Sequence, residues 1–530
     1  MASLEEIRQN RIQKLQILKE KGIEPYPIES SFDYTLREVA LLFSKLSKKK
    51  KAISLVGRIM SIRQQGGLIF FNINDGTGSF QGLLKKDNIG DKVFDFFSQV
   101  TDIGDYIEIK GNLFLTKRKE KTLMVNSWKM LAKSLRPLPE KWHGLQDIEE
   151  RFRKRYLDSL MNTEVKEKFI TRSRIITEIR KFLDKAQYLE VETPIFHPLY
   201  GGASAMPFIT HHNVLDMNLY LRISDELYLK RMLIGGFPKV YEIARDFRNE
   251  GIDATHNPEF TMVEFYESFS SASKQMKFVE KLLKTIIKNI FKKVNPVRGH
   301  EGSQRAPLEI PAQARAGIKD SLSLTGRAST SNGVKINYNN QEIDFSKKFS
   351  IISYYNIIKR YALIPNLEAI SKEELADKAT QLGVQYSNID SFQKILDNVY
   401  KKICRPKIIQ PTFIIDYPAD YLPLAKKQLK NKMLVDAFQL VIGGIELVKA
   451  FSELNDPIDQ KERFLHQEKI KDEGEADAQV LDEDFLEAME YGMPPAGGVG
   501  MGIDRLVMLL TDTHNIKEII YFPTLRPRSE

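Results

Sequence analysis

The stretch RDFRNEGIDATHNPEFTMVEFY, residues 245–266, gathers Arg245, Arg248, Glu250, His256, Glu259, Phe260, Glu264 and Tyr266 into one strand, loop and strand unit. An arginine carried on a strand suits a phosphate, because its planar fork reaches two oxygens at once. Alternation in TMVEFY sends Glu264 and Tyr266 to the same face. A surface hairpin whose charges cancel is the competing reading, and it gives no reason for a tyrosine beside that carboxylate. A second segment, GGVGMGIDRLVML, sets four glycines on a strand, where a ligand or another backbone can approach closely, and Arg505 opens the helix behind it. Alone this is equally a packing corner. Taken with the first segment it describes a nucleotide among cations, with Phe260 and Arg505 enclosing a base. A third segment, IGGIELVKAFSELNDP, holds Glu446 and Glu453 seven residues apart, so a strand here needs a bulge or turn to bring both to one place. Carboxylates of this kind either hold magnesium against nucleotide phosphates or are plain surface charges.

Other nucleotide-binding solutions are disfavoured. The chain has no GxxxxGK[ST] loop, and Gly498-Val499-Gly500-Met501-Gly502 places Ile503 where a dinucleotide loop needs its third glycine. A single cysteine, Cys404, excludes an internal disulfide and a cysteine zinc site, and the eight histidines show no HExxH spacing. The charged N-terminal stretch lacks the apolar run of a signal peptide, and no stretch approaches a membrane span, so a cytoplasmic protein with no membrane partner is expected.

The elements that position these residues divide the 530-residue chain into several cores. Residues 1–136 hold 24 basic and 15 acidic side chains, which accounts for the whole surplus of +9, and a basic front joined to a neutral body points to a polyanion-binding module. Residues 1–50 read as a helical extension. Its first helix sets Leu4, Ile7, Arg8, Arg11, Leu15 and Leu18 at helical spacing, docked on its own domain or contacting nucleic acid. Residues 51–136 contain about five β-rich runs and the helical stretch DKVFDFFSQV, the pattern of a small oligonucleotide-binding (OB) barrel. A Pro-rich linker follows over 137–160, then a mixed body over 161–530, with helices predicted at 164–187 and 274–293 and a last helix from Asp504 to Leu510. Within that body residues 295–335 lack periodicity and large apolar residues, and predict a disordered insertion that proteases cut first.

Three separated segments, in order and behind such a barrel, carry a resemblance. LEVETPIF with its preceding helix resembles motif 1, RDFRNEG with HNPEF resembles motif 2, and GVGMGIDR resembles motif 3 of the class II lysyl-tRNA synthetases of bacterial type. The likeness runs along nearly the full length, the insertion excepted. It implies an α+β protein, with an N-terminal OB-fold barrel for the anticodon and a catalytic domain built on an antiparallel sheet flanked by helices. It also implies a homodimer, with ATP, L-lysine and tRNA(Lys) as partners and Mg2+ as cofactor. Arg248 and Arg505 would be the catalytic arginines, and the ATP site would comprise these two with Glu250, His256, Phe260, Glu446 and Gly502. Lysine would be held by Gly202, Glu226, Glu264, Tyr266, Phe451 and Glu453, and the metal by Glu446 and Gln439. Arg63, Phe70 and Gln81 would contact the anticodon.

Carboxylates gathered around one cation are costly without it, which favours lysine over the aspartate and asparagine used by related synthetases. An aspartate or asparagine enzyme, or a degenerate RNA-binding relative, is the alternative. Gln439 stands where the resemblance leads one to expect a glutamate, Lys449 where an asparagine is usual, and Gln187 where glycine is common. Gln439→Glu is expected to leave pyrophosphate exchange intact or improved, and Lys449→Asn to change the KM for lysine.

Overall fold

The computed structural model describes residues 3–139, 145–291, 334–367, 369–387, 390–472 and 480–528, and most of the predicted 295–335 insertion lies outside these. The described residues form two compact bodies, one within Met1–Gln146 and the other within 147–530.

The first body is a closed five-stranded barrel of Ile53–Gln65, Leu68–Asn74, Ser79–Lys85, Lys121–Ala132 and Tyr106–Leu115, in that spatial order. Alternation fills its interior with Leu55, Ile59, Ile69, Phe71, Ile73, Ile107 and Ile109, all nearly inaccessible. The Asp91–Val100 helix adds Phe94, Phe97 and Val100 to the same core. The Leu4–Glu20 helix, started by a capping box between Ser3 and Glu6, buries Leu18 and Arg11. Arg11 donates from its guanidinium to the backbone carbonyls of Ile103, Ser134 and Arg136, so of the two roles weighed for this helix, docking on its own domain is the one the geometry shows.

The second body is built on an eight-stranded sheet. In spatial order it runs Ser350–Ser353, Thr412–Ile415, Ala437–Ile442, Ile445–Ser452, Ala496–Gly502, Glu259–Ser268, Lys239–Phe247 and Leu189–Glu190. The five inner pairings are antiparallel and the two outermost are parallel. One face carries Tyr241, Val263, Phe265, Val448, Ala450, Val499 and Met501, covered by the long helices Thr163–Lys185 and Ala272–Phe291 and by Ile503–Leu510. Periodic apolar positions make those helices amphipathic: Val279, Leu282, Leu283, Ile286, Ile287 and Ile290 are all buried. Residues of the opposite parity face the other way, toward the Glu226–Ile234 helix and a second apolar cluster. That second face carries the site. Gln187, just past the Thr163–Lys185 helix, adopts φ 64°, the left-handed conformation for which glycine is the usual choice.

Candidate active site

Two neighbouring rows cross the middle of the sheet. One runs Lys449, Gly500, Glu264 and the other Phe451, Gly498, Tyr266, each with glycine on the central strand. A Cβ on Gly498 would lie 2.1 Å from Glu453 Oε1 and 2.3 Å from the Tyr266 ring, so its bare backbone is what lets those two side chains meet. The approach expected at the glycine strand is therefore made by the pocket's own side chains. A cavity of about 960 Å³ opens above these rows. It is lined by every residue that the sequence reading gave to nucleotide, metal and amino acid, apart from Glu453, which lies beneath the lining at 1% exposure.

A bulge solves the spacing of Glu446 and Glu453. Leu440 pairs with Val448 but Val441 pairs with Glu446, so Leu447 is an extra residue on its strand. Leu447 and Val448 are both buried in the core below, and Glu446 is returned to the face of Lys449 and Phe451. Arg248 sits just past the Lys239–Phe247 strand, its backbone N–H held by the Pro258 carbonyl and its guanidinium 4.9 Å from the Phe260 ring centroid. Arg505 donates to the Glu446 carbonyl at 2.9 Å and stands 3.5 Å from His256 Nε2, while His256 Nδ1 meets Asp253 at 2.9 Å. Glu250 is exposed at the rim.

The other end of the cavity is acidic. Glu264 accepts from Ser224 Oγ at 3.1 Å and from the Tyr266 hydroxyl at 2.8 Å, which fixes the pair that alternation placed on one face. Glu226 opens its helix, and one turn on, Lys230 sets its ammonium 2.6 Å from Glu226 and 2.5 Å from Glu453. Glu226, Glu264 and Glu453, drawn from three distant stretches, are thus buried around one point. Burial, with Glu226 and Asp246 nearby, pushes the Glu264 carboxyl up to about 8. Burial also pushes Glu453 up to about 8 against the pull of Lys230, with Glu226 adding to the rise. Lys230 stays an ammonium, because the two carboxylates outweigh the burial that would discharge it.

Sequence reasoning missed Lys230 and the Glu226–Ile234 helix that carries it; the four-residue spacing of Glu226 and Lys230, which stacks two side chains on one helix face, was the readable signal. It also missed Asp225 and Asp246, which lie with Glu264 so that one oxygen of each falls within 4.8 Å of the others. Both are fully buried; burial first and the adjoining carboxylates next raise Asp225 well above the usual range, and burial raises Asp246 to about 6.

On the barrel, strand pairing aligns Arg63 with Phe70 and Asn72 with Gln81. Phe71 is the interior ring of its pair, at 1% exposure, and Phe70 is half-exposed on the outer surface with Arg63 and Gln81. Gln81 Oε1 accepts from Thr122 at 2.7 Å.

Residues 147–526 match the family model for class II tRNA synthetases (D, K and N), and residues 53–131 match that for the OB-fold nucleic acid binding domain. With a nucleotide-sized cavity above an antiparallel sheet, the chain belongs to the class II tRNA synthetases. The lysine–tRNA ligase of Pelotomaculum thermopropionicum is 43% identical over 528 residues, covering 99% of this chain and 96% of that protein. The lysine–tRNA ligase of Carboxydothermus hydrogenoformans is also 43% identical, with 99% of each covered, and that of Aquifex aeolicus is 41% identical with 97% and 78% covered. Within the class, this chain belongs to the lysine–tRNA ligase family.

Proposed function

We infer that the protein activates L-lysine with ATP and transfers it to tRNA(Lys). The observation that carries the choice of amino acid is the convergence of Glu226, Glu264 and Glu453. Once ionised, these three carboxylates less the charge of Lys230 would present two negative charges, which the two ammonium groups of lysine balance. A site for aspartate would need the opposite sign.

In the first step an oxygen of the lysine carboxylate attacks the α-phosphorus, the bond to the α,β-bridging oxygen breaks, and pyrophosphate leaves with the electron pair. The 3′-terminal hydroxyl of tRNA then attacks the lysyl carbonyl and AMP leaves. No protein nucleophile is needed, so positioning and charge neutralisation are the chain's contribution. Arg248 faces the α-phosphate, Phe260 and Arg505 enclose the base, Glu250 meets the adenine amino group and His256 the terminal phosphates. Glu226, Tyr266 and Glu453 receive the side-chain ammonium beside Phe451, and Glu264 with the backbone at Gly202 receives the α-ammonium.

A divalent cation, magnesium in this reading, accompanies ATP as part of that substrate. The protein's own donors fit a resident ion poorly. Gln439 Oε1 already accepts from Tyr417 at 2.7 Å and Tyr400 at 3.3 Å, which occupies both lone pairs and leaves Glu446 as the one carboxylate of the predicted pair. Exposed Leu189, Ile195 and Phe196 on the motif 1 segment support a homodimer. A cytoplasmic setting follows from the substrates, and among the described residues no helix is long and apolar enough to cross a membrane.

Pyrophosphate exchange into ATP across a panel of amino acids tests the reading: lysine-dependent exchange is expected, and exchange with aspartate or asparagine, or none at all, overturns it. Gly498→Ala is expected to raise the KM for lysine about tenfold or more while sparing that for ATP, since the new methyl displaces Glu453 and Tyr266. Phe70→Ala should weaken tRNA binding by about 1–3 kcal/mol, the worth of one stacked base, and leave tRNA-free exchange unchanged. Equal tRNA affinity in a filter-binding titration would remove Phe70 from the interface.

A further inference from the structure

The cavity's phosphate end holds more positive charge than the reaction as described uses. Beyond Arg248 and Arg505 the wall carries Arg405, Lys449 and Lys401 around Glu446. Lys401 is paired with Asp397 at 2.6 Å. The side chains of Arg405 and Lys449 make no hydrogen bond or ion pair among the described residues, and Arg405 Nε is a buried donor without an acceptor. A buried, unanswered guanidinium N–H is costly, and the cost is recovered only when an anion arrives. Lys449 pairs in register with Gln439, whose oxygen is filled by the two tyrosine hydroxyls. Glu446, although burial works to raise it, is held below the usual carboxylate range by Arg505, Lys449, Arg405 and Lys401, so these charges share one neighbourhood.

We propose that Arg405 and Lys449 grip the β- and γ-phosphates of ATP and the departing pyrophosphate, supplying by side chain the neutralisation that a second, protein-held divalent ion would otherwise give. The proposal rests on the reading of this cavity as the ATP site. A guanidinium and an ammonium suit the task, since each brings several donors to phosphate oxygens and Arg405 reaches two at once. As the α-phosphorus bond breaks, the electron pair passes to the bridging oxygen and charge accumulates on pyrophosphate, where both groups then bind more strongly.

The test uses the full-length protein in lysine-dependent exchange. Lys449→Met and Arg405→Gln are each expected to raise the KM for ATP and for pyrophosphate about tenfold, the worth of one charge-assisted hydrogen bond, with the KM for lysine unchanged, in place of the lysine effect that the sequence alone suggested for Lys449. Unchanged lysine KM also certifies that a variant is folded, and Arg405→Lys should recover part of the loss. At constant magnesium–ATP, raising free magnesium should leave the wild-type rate flat, whereas the double variant Gln439→Glu, Lys449→Asn should gain a dependence on it. Unaltered ATP and pyrophosphate constants in both single variants would overturn the proposal, as would a shift confined to lysine, which would turn Lys449 toward the amino acid. Absence of lysine-dependent exchange in the wild type would instead sink the functional reading itself.

Discussion

Arg248→Met is expected to slow lysine-dependent pyrophosphate exchange by about 10³-fold or more, the range in which a single arginine contributes to phosphoryl transfer. The side chain is prepared for that task in the ligand-free protein. It stands just past one strand of the hairpin, with its backbone N–H bonded to Pro258 on the return side, and its guanidinium is laid over Phe260 and donates to the Ile223 carbonyl at 3.3 Å. It can therefore meet developing charge on the α-phosphate without ordering a free chain at that moment. Methionine keeps most of the apolar stem, so the hairpin should survive. The loss should fall on kcat more than on the KM for lysine, whose acidic pocket lies across Gly500 and is untouched. Lys at this position is expected to recover only part of the rate, because an ammonium cannot hold two oxygens in one plane. A variant that kept wild-type exchange would show that the α-phosphate is neutralised elsewhere, with Arg505 the next group to test.

How much of this was legible beforehand depended on the range over which each signal acts. Alternation is local, so the shared face of Glu264 and Tyr266 could be read from six letters, and the need for a bulge between Glu446 and Glu453 followed from strand parity alone. Helical spacing marked the helix expected at 274–293 in the same way, and the structure forms it as Ala272–Phe291 with Val279, Leu282, Leu283, Ile286, Ile287 and Ile290 buried. What the sequence could not convey was which side chains find one another across strands. Asp246 reads as one more charge in an arginine-rich motif, yet register brings it against Glu264 and Asp225, where three carboxyls cannot all ionise. Phe70 and Phe71 are indistinguishable as letters, and only barrel closure decides that Phe71 is the interior ring. The lone pairs of Gln439 were open to a metal until Tyr400 and Tyr417, 39 and 22 residues away, were placed on them.

The KM for lysine should fall steeply as pH rises through the neutral range, and Lys230→Met should shift that profile to higher pH. Glu264 and Glu453, with ordinary values of 4.5, are both pushed up to about 8, so the ligand-free pocket retains protons that lysine must displace to gain ionised partners. If one proton leaves per lysine bound, KM should drop about tenfold per pH unit below 8 and level off above it. The sign is opposite for the stability of the empty protein. Groups whose folded value is raised contribute stability that is complete below about 4.5 and is lost as pH climbs through about 8, so the ligand-free Tm should decline over that window and saturating lysine should offset the decline. Lys230 is the only positive charge within hydrogen-bonding distance of Glu226 and Glu453 among the described residues. Replacing it by methionine keeps the volume and strips the pair of its cation, at a cost of about 3–5 kcal/mol for a broken buried ion pair. Glu453, already pushed up by burial against the pull of Lys230, then holds its proton to still higher pH, which is why the KM profile must move. Titration calorimetry in buffers of different ionisation enthalpy measures the proton released per lysine directly. A KM that stayed flat from pH 6 to 9 would mean that Glu264 and Glu453 are already ionised, and that Lys230 is merely structural.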